Sequence, residues 1–252
     1  MRMQGLRLVL GSPEALADED IDVLWRLRAR LIDLKPEVDP ADDRAAFGVV
    51  IRRAHRVARM LDAAGDVVAF QDLAVHIWPR LLVLQSEYGF CEPRWRGHPL
   101  LPLMGFGMVV PAWARHGRGR RAWFVGDAYP TGFRPFVHGF PQVHLAGEPV
   151  SEELEALLAW LPDHLYGGAW DPVRQRVCLR TLPPRPPMRD GRDVEMLARY
   201  ERVNPAWAEG YAAFLVLPLD RRLWAGLRTV QRRLGRRFKA RQVDRGGQPR
   251  PA

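Results

Sequence analysis

Leu81-Leu82-Val83-Leu84-Gln85-Ser86-Glu87-Tyr88-Gly89-Phe90 decides the fold. Ten residues with a single charge and no helical spacing read as one continuous strand, buried on both faces at the centre of a sheet. A Pro- and Gly-bearing loop, Cys91 to Pro99, leads into a helix from about Leu100 to Arg115. Gly105, Gly107 and Pro111 lie inside that helix, so a kink or break is expected near Pro111. Upstream, Arg56 to Ala63 and Asp66 to Trp78 read as two strands joined at Ala64-Gly65-Asp66, a hairpin.

Further out, Leu6 to Leu10 reads as a short strand. Asp20 to Leu34 and a segment opening at Pro40 carry helical spacing, the second with acidic residues in its first turn. Downstream, Arg121 to Tyr129 is a strand, Pro130 to Pro149 is irregular, and Glu152 to Leu165 is one amphipathic helix. Arg174 to Thr181 and Tyr211 to Leu217 read as strands, with a helix near Val194 to Tyr200 between them. Helices alternating with strands imply an α/β protein with a mixed sheet covered on both faces. Three sections follow: a core over 1–182, a Pro-rich linker with a late helix and strand completing the sheet over 183–219, and a basic amphipathic helix with its tail over 220–252.

A chain of 252 residues with 47% hydrophobic and 27% charged residues can bury a full-sized core. Its two cysteines, Cys91 and Cys178, build no disulfide framework, and no secretory leader or spanning segment is visible. These features point to the cytoplasm. The net charge of +9 rests on arginine, with Lys35 and Lys239 the only lysines, and much of it gathers at the C-terminus.

The loop Pro93-Arg94-Trp95-Arg96-Gly97-His98-Pro99-Leu100-Leu101 joins the central strand to a helix N-terminus. Unpaired amides at the positive end of a helix dipole suit phosphate, and Arg94 and Arg96 can add charge-assisted contacts. Glu92-Pro93-Arg94-Trp95-Arg96-Gly97 resembles the Pro-x-aromatic-Arg-Gly segment leading the acyl-CoA-binding loop of GNAT-type acyltransferases. The order of elements from about Val23 to Pro130 is similar to theirs as well. The resemblance implies a GNAT-like fold with a C-terminal extension, and a co-substrate thioester carried on coenzyme A or on an acyl-carrier protein. It places Arg94, Arg96, Gly97 and His98 at the phosphates and Gln85 to Phe90 beside the thioester. Pro99 falls where the family pattern has a small residue, and it has no N–H to donate.

A transferase of this kind needs a base for the acceptor and a donor for the departing thiolate. Glu87 is the candidate base, a carboxylate in an apolar strand where desolvation raises its pKa. Tyr129, ending the next strand, stands where the resemblance places a general acid. No His or Cys spacing suggests a metal. Cys91 reads as a structural thiol, and no Gly-x-Ser-x-Gly elbow or nucleotide-binding glycine pattern is present. Phe133, Phe136 and Phe140, on expected loop, are candidates to wall an apolar pocket.

The acceptor class that follows is a small or lipid-like amine or alcohol. From Asp220 to Gln242, Leu223, Leu227, Val230, Leu234 and Phe238 form one stripe opposite many arginines. Such a helix fits an acidic carrier protein or a peripheral membrane contact, while nucleic acid is not an expected partner. The alternative function is a catalytically silent GNAT-like domain that binds an acidic partner or membrane surface through this helix.

Overall fold

The structure, a computed structural model, describes residues 2–3, 5–95, 100–184 and 190–223. Its strands and helices run β1 (Arg2–Met3), β2 (Leu6–Gly11), α1 (Asp18–Ala29), β3 (Asp33–Leu34), α2 (Pro40–Arg53), β4 (Arg56–Leu61), β5 (Val67–Ile77), β6 (Leu81–Ser86) and β7 (Gly89–Cys91). Then follow α3 (Leu100–His116), β8 (Arg121–Ala128), α4 (Pro130–Gly139), β9 (His144–Leu145), α5 (Glu152–Leu158) and α6 (Leu161–Tyr166). The last elements are β10 (Trp170–Asp171), β11 (Arg176–Cys178), β12 (Thr181–Leu182), α7 (Gly191–Val203) and β13 (Tyr211–Pro218). The basic helix expected over 220–252 lies almost wholly outside the described residues.

The main sheet has the order β1-β2-β4-β5-β6-β8-β13-β11-β10. Among the described strands only β6 and β8 are parallel; every other pair is antiparallel. The expected hairpin is β4 and β5, with Gly65 at φ 93° in the turn, a left-handed conformation that glycine adopts without Cβ strain. The link from β6 to β8 must cross over, and α3 is that crossover.

Alternation along the strands sorts the core into two faces. Leu82, Leu84 and Phe124 face Met104, Met108, Phe133, Met196 and Tyr200 of α3, α4 and α7. Val83 and Val125, one step along, face Leu154, Leu157 and Leu161 of α5 and α6. Phe70 shares that second face with Phe47 and Ile51 of α2 and Leu24 and Leu27 of α1. Asp39 caps α2, its carboxylate accepting from Ala41 N at 2.6 Å, and Pro40 opens the helix where no amide is needed.

Several expected elements differ. The run 81–90 is two strands, β6 and β7, parted at Glu87-Tyr88. The helix α3 continues through Pro111, held by the burial of Met104, Met108, Val109 and Ala112. The region from Pro130 is the helix α4, so Phe133 and Phe140 are buried core residues and not pocket walls on a loop. The single helix expected over 152–165 is α5 and α6, because Pro162 has no N–H for the Leu158 carbonyl. The strand expected over 174–181 is divided between β11, which joins β13, and β12, which joins β3.

Candidate active site

The site begins where β6 and β8 stop pairing. Their parallel register runs from Leu81 with Arg121 to Ser86 with Gly126 and goes no further. At that last pair the backbones are close: a Cβ on Gly126 would lie 2.7 Å from the Ser86 carbonyl oxygen. Beyond it the chain leaves β6, turns at Glu87-Tyr88, and rejoins β5 as β7 through Ala69 with Cys91, Phe70 with Phe90 and Gln71 with Gly89. β8 runs on to Ala128 with β13 on its far side only. A wedge therefore opens between residues 87–89 and 127–129.

Asp72 holds the turn open. It lies on β5 between the stretch paired with β7 and the stretch paired with β6. Its carboxylate accepts from Tyr88 N at 2.7 Å, Glu87 N at 3.1 Å and Ser86 Oγ at 3.3 Å. These are donors that an uninterrupted strand would have satisfied in its ladder. Asp72 is 1% exposed, and burial pushes its pKa up to about 7 against the pull of those donors.

Glu87 and Asp127 occupy the first position past the final pair, one on each arm of the wedge. Burial, then the neighbouring Asp72 and Asp127 charges, push the Glu87 carboxyl up to about 8. Burial likewise raises Asp127 to about 6, opposed by a hydrogen bond from Tyr166 Oη at 3.0 Å. The amide of Gln85, 2% exposed, donates to Glu87 Oε1 at 3.1 Å, and its carbonyl meets His76 Nε2 at 2.8 Å. Because Gln85 spends its N–H on Glu87, His76 carries the proton on Nε2.

A cavity of about 1240 Å³ fills the wedge and passes to both faces of the sheet. Leu101, Arg134 and His138 line it from α3 and α4 on one face; Arg53, His164 and Tyr166 line it from α2 and α6 on the other. The starts of α3 and α4 stand outside the carboxyl ends of the parallel strands β6 and β8, the position where open α/β sheets receive ligands. Arg134 is held by Asp193, its Nε 2.6 Å from Oδ1, and Arg28 by Asp43, its Nη2 3.1 Å from Oδ1.

Of the residues singled out from sequence, Glu87 and Tyr129 both line this cavity. Tyr129 is 7% exposed and donates its hydroxyl to the Thr181 carbonyl at 2.6 Å; burial raises its pKa far above the usual phenol value. Arg94 does not line the cavity: its exposed guanidinium turns to Glu92 at 2.7 Å and Asp62 at 3.3 Å. Arg96, Gly97 and His98, with Pro99, lie outside the described residues. Sequence reasoning placed Gln85 beside the thioester but passed over Asp72, Asp127, Tyr166 and Arg53 as site residues. The signal for the two aspartates was a lone acid inside a strand that is otherwise buried, a placement Asp adopts only with partners. Among the described residues no group of three or more His, Cys, Asp or Glu could hold a metal ion, and no helix is long and apolar enough to cross a membrane.

No family model and no curated protein matches this chain. Solved structures similar to it are in the main acetyltransferases. An acetyltransferase from Trypanosoma brucei is 17% identical over 58% of this chain and 99% of its own, at a TM-score of 0.40. An acetyltransferase from Streptococcus agalactiae is 12% identical over 86% and 100%, at 0.43. A GCN5-related N-acetyltransferase from Kribbella flavida is 17% identical over 57% of this chain at 0.39, and the chain spans only 34% of that protein's length. The fold class stands on the element order itself: an α/β chain with a mixed sheet, in which two helices, a hairpin, the core strand, a helix and the next strand follow one another as expected from the resemblance to GNAT-type acyltransferases.

Proposed function

We propose that the chain transfers an acyl group from a pantetheine thioester, borne by coenzyme A or a carrier protein, to an amine or hydroxyl, with an amine the better fit to the carboxylates. One observation carries the reading: the cavity runs through the sheet at the wedge, so two substrates can meet from opposite faces. The extended pantetheine arm enters from the side of α3 and α4. Amides left without a β6 partner along residues 127–129 are its hydrogen-bonding edge, as an added strand would use them. The acceptor arrives from the side of α1, α2 and α6, where Glu87, Asp127 and Tyr166 lie.

In the reaction the amine nitrogen forms a bond to the acyl carbon, and the carbon–sulfur bond breaks. One proton passes from nitrogen to the base, and the sulfur leaves as thiolate, to be protonated as free thiol. Glu87 is the base, its raised pKa lying near working pH, where a base both ionises and accepts a proton effectively. Tyr129 holds its proton too tightly to surrender it outright to a thiolate. Its part is a hydrogen bond to the departing sulfur, made by turning away from Thr181.

Thermal shift with desulfo-CoA, followed by thiol release from acetyl-CoA with an amine panel, tests the reading. A ligand that binds the native state must raise its melting temperature. The expected result is a rise with desulfo-CoA and amine-dependent thiol release. No shift with either coenzyme A or phosphopantetheine rejects it.

A further inference from the structure

We infer that the acceptor is a zwitterionic amine, its nitrogen seated between Glu87 and Asp127 and an anionic group, carboxylate or phosphate, held by Arg53. This deepens the acyltransferase reading and rests on it. The acids and arginines that line the cavity from α1, α2, β5 and the two arms of the wedge are Arg28, Asp43, Arg53, Asp72, Glu87 and Asp127. Arg28 and Asp43 neutralise each other in a buried pair, with Trp25 Nε1 also donating to Asp43 at 2.9 Å. Asp72 is consumed by the turn it holds. Of these, two carboxyls, Glu87 and Asp127, and the Arg53 guanidinium remain without an ionic partner among the described residues; Arg180, between β11 and β12, lines the cavity as a further arginine outside any ion pair among them. Two histidines that line the cavity, His76 and His164, are set among aromatic rings around Trp78.

Arg53 closes α2 and is exposed. Its neighbour Arg52 already serves that helix end, donating to the Pro13 and Leu16 carbonyls at 3.1 and 2.6 Å and to Asp18 at 2.6 Å. Arg53 does none of this. Its charge reaches the Glu87 carboxyl, yet the two do not close into an ion pair. Opposite charges that feel one another across an open cavity, without touching, leave room for a molecule with the complementary pair. A plain monoamine would leave Arg53 idle, and a purely anionic acceptor would meet two carboxyls.

The test compares kcat/KM for thiol release from acetyl-CoA with matched acceptors: amino acids against their carboxamides, and phosphoethanolamine against ethanolamine. The expected outcome is a preference of about tenfold or more for the charged member of at least one set, the scale of one charge-assisted hydrogen bond. Whichever set shows it identifies the anionic group. In Arg53→Gln that preference falls to about one, while the KM for acetyl-CoA stays put, which separates acceptor recognition from donor phosphate binding. Equal rates for charged and neutral members, or a preference that survives Arg53→Gln, overturns the inference. Turnover of none of these amines, with desulfo-CoA still raising the melting temperature, overturns it and leaves donor binding standing. Absence of that shift as well removes the acyltransferase reading together with it.

Discussion

Glu87 and Asp127 face each other across the first position at which β6 and β8 are no longer hydrogen-bonded, one step beyond Ser86 and Gly126. Had the ladder continued, the two acids would be neighbours in a parallel pair, and their repulsion would work against it. Separated by the wedge, Asp127 still raises the cost of ionising Glu87. The same placement that opens the sheet thus tunes the carboxyl proposed as base.

Glu87→Gln keeps the hydrogen bond to Gln85 within reach but cannot take a proton. We expect kcat to fall about 10²- to 10⁴-fold, the range for a lost general base, with the desulfo-CoA shift unchanged. Stopped assays on the purified variant decide it; turnover within a factor of three of wild type removes Glu87 from the mechanism.

Asp127→Asn removes one of the charges that raise Glu87. In the wild type, kcat/KM rises with pH as Glu87 loses its proton, with a limb near 8. In the variant, ionisation becomes easier and the limb moves to lower pH. A full pH–rate profile of both proteins reads the shift. A limb that stays in place means that another group titrates.

Asp72→Ala takes the acceptor from the Glu87 and Tyr88 amides and from Ser86 Oγ. Leaving buried donors unmade costs about 1–3 kcal/mol, so the melting temperature should drop by several degrees. The asparagine variant keeps one acceptor oxygen and should lie between. If both melt like the wild type, the turn is held by something else.

Much of this was legible from residue order, because it rests on local patterns. The hairpin, the strand at Leu81, the helix after Leu100 and the strand at Arg121 all declare themselves by alternation or apolar runs. The break at Glu87 does not, since its cause is Asp72, fifteen residues upstream and visible only once β5 and β6 lie side by side. Helix α4 was obscured by Pro130, Gly132, Pro135 and Gly139, which read as breakers. Pro130 sits at the first helical position, where a missing amide costs nothing, and burial of Phe133 stabilises the rest. The cavity was illegible for the same reason as the break: its walls come from six helices and six strands distant along the chain.

Gly126→Val tests the wedge from its closed end. A side chain there would meet the Ser86 carbonyl oxygen at 2.7 Å, a backbone atom that cannot swing aside. Overpacking of this kind costs about 1–3 kcal/mol, and the strain should part the last pair of β6 and β8. We expect a lowered melting temperature and faster amide hydrogen exchange in β6 than in β2, and a variant as stable as the wild type would mean the strands are looser at this point than they stand here.

The carboxyls also set how stability responds to pH. In the folded chain Glu87 keeps its proton up to about pH 8, whereas an unhindered glutamate releases it near 4.5. Between those values the folded state binds more protons than the unfolded state, so stability falls as pH rises through the window and levels off above it. Asp72 and Asp127 act in the same direction, over windows from 3.8 to about 7 and from 3.8 to about 6. In Glu87→Gln that contribution is gone. The difference in melting temperature between pH 5 and pH 8.5 should therefore be smaller than in the wild type. Burial is what makes the sign what it is: a carboxyl held in place by an ion pair would have its pKa lowered, and stability would then rise with pH instead. A variant whose pH slope equals or exceeds that of the wild type would place the Glu87 carboxyl in water, and the wedge would then be no site for proton transfer.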